Sequence, residues 1–324
     1  MSSDGPPAAG VVAETARPEE WEAAFSLLFR HCTAEDRPPR VARALKLIEK
    51  GELAPEAVVV LRGEGAVLGA AVCTVVPGGS GLVWPPQAAD GPQRSIYEDT
   101  LTQCVLGRLR KQGARLAQCL LAPEEAFLAV PLLRNDFRHV TALWYLRHER
   151  EVPPDCLGTP SRLAFQSYDE ADRDLFHDTL LRSYEGTLDC PEVAGLRTLD
   201  DILTGHKAQG VFNPSLWWLG LEGERPVGVL LATELSELPG WEVAYVGVVP
   251  EERRRGYGRE LMLKVLLEAR AAEVAELLLT VDGRNHPAWG LYRALGFEPF
   301  DRREVFLALW DRVSPCQGPG EQRA

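Results

Sequence analysis

Residues 242–258, EVAYVGVVPEERRRGYG, have the pattern of a strand, a polar turn and the start of a helix. The β-rich run from Val243 to Val249 predicts the strand, and Pro250 ends it because proline has no N–H to donate to a sheet. Gly256 and Gly258 follow three arginines, and apolar residues then recur at helical spacing over residues 261–269. Free N–H groups and the dipole at a helix start favour an anion, so we expect this turn to hold a phosphate.

The spacing of the turn narrows the kind of phosphate site. A P-loop would need Gly-Lys-Ser/Thr, which the turn lacks. A Rossmann fingerprint would need a third glycine and an acidic residue about 20 positions later, at the end of the next strand. The chain instead has Val-x-Pro followed by Arg253-x-x-Gly256-x-Gly258. Neither of these common nucleotide-binding loops fits.

This spacing resembles the acetyl-CoA pyrophosphate loop of the GCN5-related N-acetyltransferases (the GNAT superfamily), whose signature is Gln/Arg-x-x-Gly-x-Gly/Ala. Residues 285–297, NHPAWGLYRALGF, match the family's second pattern, Asn-x-x-Ala-x-x-Leu-Tyr-x-x-x-Gly-Phe, at every position. The two motifs stand in the family's order. The resemblance implies acetyl-CoA as the acyl donor and N-acetyl transfer by direct attack of an amine.

The resemblance also suggests a general base. An alkylamine with a pKa of about 10.4 is almost fully protonated at neutral pH, so a carboxylate must remove its proton. Glu242 resembles the glutamate that does this in the GCN5-type histone acetyltransferases, and its parity with Val246 and Val248 predicts one shared strand face. The alternative to a base role is that Glu242 is an edge glutamate that faces solvent or pairs with an arginine. The reserve acids are Glu234, Glu185 and Asp189, the last two on a polar loop that borders the acceptor site in this family.

The remaining roles are also carried over from the family. Tyr292 is expected to protonate the leaving thiolate. The alternative is that it is only a core residue, because it shares a helix face with apolar residues. A backbone N–H near Val248 is expected to polarise the thioester oxygen, and the N–H groups of residues 253–259 to bind pyrophosphate. Asn285 contacts the CoA arm or is only a helix cap. The expected cofactor-binding residues are Val246, Val248, Arg253, Arg254, Arg255, Gly256, Tyr257, Gly258, Arg259 and Asn285, the arginines being partly a solvated face.

Composition limits the class of protein. The 324 residues, 45% hydrophobic and 25% charged, suffice for two globular domains, and the sequence has no apolar run near the roughly 20 residues of a membrane span. Seven scattered cysteines and six unclustered histidines predict reduced thiols, a cytoplasmic location and no metal. The net charge of −12 argues against nucleic acid and favours an amine-bearing small molecule or peptide, although acidity also simply favours solubility.

The order of predicted strands and helices repeats, which predicts an α/β fold of two tandem GNAT-like domains, each a mixed, mostly antiparallel sheet flanked by helices. We place a degenerate domain at residues 11–150 and an acetyl-CoA-binding domain at residues 151–313. Residues 149–154 form a charged, proline-punctuated linker, and residues 1–10 and 314–324 are expected to be disordered tails. A tandem arrangement with one intact copy is also similar to that of the mycothiol synthases. The chain is expected to be a monomer or a homodimer.

Two offsets in the numbering support the repeat: one places Pro85 on Pro250, and a slightly smaller one places Phe137 on Phe297. In the first offset, Gly91 stands opposite Gly256, Pro92 opposite Tyr257 and Asp90 opposite Arg255. In the second, Leu132 replaces Tyr292 and Glu125 replaces Asn285. The first copy therefore lacks the residues for productive CoA binding and is predicted to be structural or substrate-shaping. The alternative is that it binds CoA by another route. A rival hypothesis for the whole chain is a non-catalytic acyl-CoA sensor or scaffold.

Overall fold

A computed structural model describes residues 11–63, 65–149, 161–236 and 239–310. The expected tails and most of the expected linker lie outside these residues. The described strands are β1 (Val12–Thr15), β2 (Val58–Gly63), β3 (Ala66–Val76), β4 (Ser80–Ala88), β5 (Leu116–Leu121), β6 (Arg138–His148), β7 (Ala164–Ser167), β8 (Trp217–Glu222), β9 (Arg225–Glu234), β10 (Gly240–Val248), β11 (Glu276–Asp282) and β12 (Glu298–Leu309). The described α-helices are α1 (Trp21–Leu28), α2 (Arg37–Glu49), α3 (Arg94–Lys111), α4 (Val130–Leu133), α5 (Arg173–Ser183), α6 (Leu199–Lys207), α7 (Tyr257–Ala271) and α8 (His286–Ala294).

The twelve strands form one sheet in which the two halves of the chain exchange their last strands. The order is β1-β2-β3-β4-β5-β12-β6-β11-β10-β9-β8-β7. Strand β12 of the second half pairs with β5 of the first, and β6 of the first half pairs with β11 of the second. Strands β6 and β12 pair with each other at the centre. Each half is therefore completed by the other.

The predicted fold class, two tandem α/β halves with a mostly antiparallel sheet, is confirmed. Neighbouring strands run antiparallel except for β4–β5 and β10–β11, which are parallel. In the second half, alternate residues of β9 serve two different cores. Leu230 and Ala232 pack in the core that includes residues of α7, whereas Val229 and Leu231 pack in the core that includes residues of α5 and α6. Helices therefore cover both faces of the sheet, as strand alternation requires.

The offset that places Phe137 on Phe297 also relates β4 to β10 and β6 to β12. Leu143 pairs with Arg303, its own counterpart at this offset, so a pseudo-twofold axis passes near this pair. The other expected offset, from Pro85 to Pro250, is wrong. It assumed that Pro85 ends a strand, as Pro250 does, but β4 continues through Pro85 and Pro86. These two prolines lie at a register shift between β3 and β4, where the missing N–H does not interrupt the ladder.

The region of the first half that corresponds to α8 is not one continuous α-helix. Residues Pro123–Ala129 form a 3-10 helix, and only the short α4 is α-helical. Pro131 lies in α4, where proline is tolerated because the first-turn N–H groups have no partner inside a helix. The counterpart in the second half is the longer α8, so this is a place where the halves diverge.

Candidate functional site

Strands β10 and β11 part from each other in the second half. They pair only from Gly240 to Val243 of β10, after which a register shift between Val243 and Tyr245 marks a β-bulge against β9. Val249 donates its N–H to the carbonyl of Val227 at 3.0 Å. Because donors alternate along an antiparallel strand, the N–H groups of Val246 and Val248 point to the opposite, open edge. The parting thus exposes two strand amides.

The turn after β10 presents a second set of amides. Gly256 has φ of 90° and Arg254 has φ of 61°, so the backbone turns sharply before α7. The ends of the turn are closed internally: Arg253 donates its N–H to Pro250 O at 3.3 Å, and Arg259 donates its N–H to Gly256 O at 3.0 Å. Within the described residues, the backbone N–H groups of residues 254–258 between them have no hydrogen-bond acceptor. They form an anion-binding concavity at the helix start.

The open edge and the turn lie close together. A Cβ placed on Gly258 would lie 4.0 Å from Val248 Cγ2 and 3.6 Å from Leu291 Cδ2. Gly258 therefore stands between the end of β10 and α8, the helix that carries Tyr292. Tyr257, by contrast, is buried beneath the turn in the core, where the guanidinium of Arg162 lies 4.7 Å from its ring centroid.

The arginine side chains of the turn have different surroundings. Arg253 donates to the carbonyls of Val248 at 3.0 Å, Gly186 at 3.1 Å, Ser183 at 3.1 Å and Glu185 at 2.5 Å. Arg255 pairs with Glu252 at 3.0 Å. Arg254 is exposed, and its guanidinium has no hydrogen-bond or ion-pair partner in the described ranges. Arg259 lies in the first turn of α7. Arg254 is thus the arginine best placed to reach an anion on the turn.

Tyr292 is 6% exposed, and its hydroxyl has no hydrogen-bond partner among the described side chains and backbone. Burial raises the pKa of this phenol, and the nearby Asp189 carboxylate adds to the rise. The hydroxyl therefore stays protonated at neutral pH and has a proton to give. Asn285 caps α8, since its side chain accepts from the N–H of Ala288 at 3.3 Å.

Glu242 does not share a face with Val246 and Val248. The expected parity is wrong because the bulge after Val243 inserts one residue and reverses the faces that follow. Glu242 lies opposite Thr233, and Tyr245 lies opposite Leu231, so Glu242 and Tyr245 are on the face covered by α5 and α6. Val246 and Val248 pack in the core on the α7 side.

The carboxyl of Glu242 is half-buried. Burial raises its pKa, and among the described residues it has no cation as a partner. Tyr145 on β6 lies near enough for the Glu242 charge to contribute to the raised pKa of that tyrosine. An uncompensated, desolvated carboxylate beside an open strand edge has the properties of a proton acceptor.

Asp189 is a second desolvated carboxylate, on the loop after α5. It accepts the N–H of Asp282 at 3.1 Å. Burial raises its pKa to about 6, and its charge contributes to the raised pKa values of Tyr292 and Tyr245. Of the other reserve acids, Glu185 is exposed, and Glu234 accepts from Asn213 Nδ2 at 3.0 Å. Two carboxylates, Glu242 and Asp189, are therefore available near the open edge.

Sequence reasoning missed three features of this site. It did not find the bulge, which has no residue signature at Ala244, nor the contacts that occupy Arg253. It also missed the aromatic wall: Tyr184 stacks on Tyr245 with ring centroids 4.4 Å apart, and Tyr184 hydroxyl lies 2.8 Å from His206 Nε2. Burial lowers the pKa of His206 to about 4, so this histidine is neutral. The one sequence feature that pointed to this wall was Tyr184, the tyrosine of the polar loop at residues 183–192.

Among the described residues, one group has the spacing to hold a metal ion: Asp189, Cys190 and Asp282. Its oxygens already have donors. Asp282 accepts from Thr141 Oγ1 at 2.5 Å, from Cys190 N–H at 3.0 Å and from Arg284 Nη2 at 2.7 Å. These hydrogen bonds hold the loop that contains Asp189 and Cys190 against β11. Because the Asp282 oxygens already accept hydrogen bonds, the group gives no support to a metal site.

The first half does not reproduce the turn. With the offset that relates the two halves, Ile96 stands opposite Gly256 and Glu98 opposite Gly258, both inside α3. Glu98 is buried and accepts from Arg94 Nε at 2.8 Å and from Arg134 Nη2 at 3.2 Å. Gly91, Pro92 and Asp90 precede α3 and are not the counterparts of the turn.

Leu132 does stand opposite Tyr292. A cavity of about 920 Å³ opens on the first half beside α2, Trp84 and the start of β12, and none of its lining residues belongs to the turn or to α8.

Comparisons with known proteins agree with this geometry. The sequence profile described as "Acetyltransferase (GNAT) family" matches residues 180–297. A mycothiol acetyltransferase of Beutenbergia cavernae is 35% identical over 212 residues, covering 58% of this chain and 68% of that protein. One of Actinosynnema mirum is 29% identical over 173 residues, covering 53% of this chain and 56% of that protein. With that relative and another of Thermobispora bispora, the matched region spans only about half of the relative's length.

A solved structure shows the same fold. The GCN5-related N-acetyltransferase from Sphaerobacter thermophilus superposes with a TM-score of 0.57 at 17% identity, covering 92% of this chain and 95% of that one. At this identity the likeness establishes fold only, and it extends over both halves. In the described part of the chain, no helix combines the length and the apolar character that crossing a bilayer requires.

Proposed function

Because this chain belongs to the acetyltransferase (GNAT) family, we propose that it transfers an acetyl group from acetyl-CoA to an amine, with its second half as the catalytic half. The observation that carries the proposal is the set of backbone amides of residues 254–258 at the start of α7, which have no acceptor in the described part of the chain. Such amides, with the helix dipole, favour a diphosphate, and Arg254 adds a free cation beside them.

The parted strands provide the second part of the site. The acyl-carrying arm of acetyl-CoA runs along the open edge of β10, and the N–H groups of Val246 and Val248 bind it there. One of these amides, in our proposal that of Val248, polarises the thioester oxygen as negative charge develops on it. Fixed backbone donors suit this role because they need no reorganisation during the reaction.

Proton transfer completes the reaction. Glu242 takes the proton of the ammonium group, directly or through water, and the neutral nitrogen attacks the thioester carbon. The C–N bond forms, the C–S bond breaks, and Tyr292 gives its proton to the leaving thiolate. The second proton that the nitrogen loses as the amide forms returns to Tyr292, directly or through water, and Glu242 releases its proton to solvent. The half-buried Glu242 carboxylate and the open, protonated Tyr292 hydroxyl support these two assignments.

The acceptor is proposed to be a primary amine on a small molecule or peptide. The matched relatives are named mycothiol acetyltransferases, so the amine precursor of mycothiol is the first acceptor to test. The first half, whose Glu98 stands opposite Gly258, is proposed to bind no CoA productively and to shape the acceptor side. A cytoplasmic location, a monomer or homodimer, and no nucleic-acid or membrane partner remain parts of the proposal.

The test is an assay of free thiol release from acetyl-CoA with the mycothiol precursor, peptides and aminoglycosides as acceptors, with mass spectrometry of the acetylated product. We expect turnover above background hydrolysis with at least one amine, and saturable acetyl-CoA binding by calorimetry. Binding without turnover for any amine would favour the sensor hypothesis. Absence of acetyl-CoA binding would contradict the proposal itself.

A further inference from the structure

Arg253 carries the first position of the phosphate-loop motif, yet its side chain points away from the turn's open amides. A guanidinium has five N–H groups. Those of Arg253 reach four carbonyls: one on β10 (Val248) and three at the end of α5 and in the loop that follows (Ser183, Glu185 and Gly186). Most of its donors are therefore used inside the protein.

Three of these four carbonyls lie at the C-terminal end of α5 or directly after it. The last carbonyls of a helix have no partner inside it, and a cation there is favoured by the helix dipole. Arg253 satisfies this end of α5 and at the same time holds the carbonyl of Val248, whose N–H faces the open edge. The loop that begins here continues to Asp189, beside Tyr292. Arg253 thus connects the strand that would hold the thioester to the loop next to the proposed acceptor.

The first half contains the same connection without a phosphate turn. Ala88 is the counterpart of Val248, and its carbonyl accepts from Arg30, which comes from the end of α1 and also pairs with Asp90. In the first half this arginine follows helix α1, whereas in the second half it lies in the turn after β10. Since the first half lacks the open amides, a guanidinium on this carbonyl does not depend on bound phosphate.

We propose that Arg253 is a positioning residue that holds the 183–189 loop against the end of β10, and that it is not a ligand of pyrophosphate. The inference rests on the proposed function for the meaning of the acceptor loop, but the contacts themselves do not. Loss of the guanidinium then weakens acceptor use and frees the loop, while acetyl-CoA binding is retained.

The test compares three glutamine variants, each of which removes one guanidinium. Arg253→Gln should accelerate amide hydrogen exchange over residues 183–189 by about tenfold or more, because three charge-assisted contacts to that loop are lost. Its Kd for acetyl-CoA should change less than threefold. Arg254→Gln should show the reverse pattern, a Kd raised about tenfold and an unchanged loop, since a free cation near phosphate is lost. Arg30→Gln, the matched control in the first half, should leave both measurements unchanged.

With the amine that gives turnover, Arg253→Gln should raise KM for the amine about tenfold, and Arg253→Lys should restore part of it because it keeps the charge but not the planar fork. Arg253→Lys also serves if the glutamine variant does not fold. The proposal is overturned if Arg253→Gln raises the acetyl-CoA Kd as much as Arg254→Gln does, or if exchange over the loop is unchanged. Failure of the wild-type protein to bind acetyl-CoA would instead overturn the proposed function. Amide hydrogen exchange over residues 183–189 would still decide whether Arg253 holds the loop.

Discussion

At the level of single residues, the site contains two kinds of desolvated group: a neutral phenol and two carboxyls. Tyr292 is buried with an open hydroxyl, and Glu242 and Asp189 are carboxyls whose pKa values are raised by burial. Desolvation keeps the phenol protonated and makes both carboxylates more basic. This is the combination that transfer of an acyl group to an ammonium substrate needs: an acid that retains its proton and a base that can accept one.

The first prediction concerns Tyr292→Phe. Removing the hydroxyl leaves the thiolate without its donor, so kcat for thiol release should fall by about 10²-fold. The acetyl-CoA Kd should stay within twofold, because the ring remains in the core. Tyr168→Phe is the matched control: Tyr168 is also buried, its hydroxyl lies 3.0 Å from His177 Nε2, and it is not part of the proposed site. Equal losses in both variants would contradict an acid role for Tyr292.

The second prediction separates the two carboxylates by pH. A base must be ionised, so kcat/KM should rise with pH through the pKa of the acting group. Burial raises the pKa of Glu242, which places this limb above the usual range for glutamate. Glu242→Gln should lower kcat by about 10²-fold and remove the limb, whereas Asp189→Asn should keep it.

The opposite outcome would assign the base differently. If the limb lies near pH 6 and disappears only in Asp189→Asn, then Asp189, whose pKa is about 6, is the base. The measurement is the initial rate of thiol release between pH 5 and pH 9, with acetyl-CoA saturating and the amine varied.

At the level of elements, the site depends on where one strand stops pairing. The bulge at residues 243–245 ends the contact of β10 with β11 and turns Glu242 to the α5–α6 side. In the first half, β4 has a register shift at the corresponding place, and its pairing with β5 also stops at Leu82. Both halves have therefore kept the opening, and only the second has kept the turn beside it.

The third prediction concerns the two glycines of that turn. Gly258 has room for a Cβ, with its nearest neighbour at 3.6 Å, so Gly258→Ala should fold normally. The added methyl would face Leu291 and Val248, and the family signature accepts alanine at this position, so the acetyl-CoA Kd should stay within threefold. Gly256→Ala should lower the free energy of unfolding by about 1 kcal/mol, because φ of 90° is strained for alanine.

The matched control is Gly107→Ala in α3, where an added Cβ meets nothing within 4 Å. Alanine is the better helix former, so this variant should be more stable by about 0.5–1 kcal/mol and should bind acetyl-CoA unchanged. Calorimetry and chemical denaturation measure the two effects. A Kd raised tenfold or more by Gly258→Ala would contradict this prediction.

At the level of the whole molecule, the exchanged strands make the halves interdependent. Each half contributes its last strand to pair with the next-to-last strand of the other, and Thr141 of the first half donates to the buried Asp282 of the second. The pKa of Asp282 is lowered to about 2, so this carboxylate is ionised at neutral pH. The proposed site is therefore completed by a strand and a hydroxyl of the half that lacks the phosphate turn.

The fourth prediction follows from that exchange. Expressed alone, residues 11–149 or 161–310 leave β5 or β11 without its partner strand, and an unpaired edge of this kind promotes association. Each fragment should be unfolded, or should form a homodimer that exchanges its last strand. Circular dichroism and size-exclusion chromatography distinguish these states, with the two fragments expressed together as the control. A folded, monomeric 161–310 fragment that binds acetyl-CoA would contradict the prediction.

Much of the second half could be predicted from the sequence, because its signals are local. Pro250, Gly256 and Gly258 place the strand end and the turn, and Asn285 and Gly296 bound α8. The first half was harder, since it lacks those markers. The offset based on Pro85 failed because a proline at a bulge and a proline at a strand end look the same in a sequence.

The residue pattern by itself determined the turn before α7, because backbone dihedrals and free helix-start amides depend on a few consecutive residues. Only the tertiary structure decided which face carries Glu242, where Arg253 directs its guanidinium, and which half supplies the strand beside β11. The physical reason is that these three outcomes are set by register and by contacts between residues far apart in sequence. A single inserted residue at the bulge moves the side chains that follow to the opposite face of the sheet. Local residue propensities do not determine which strand pairs with which.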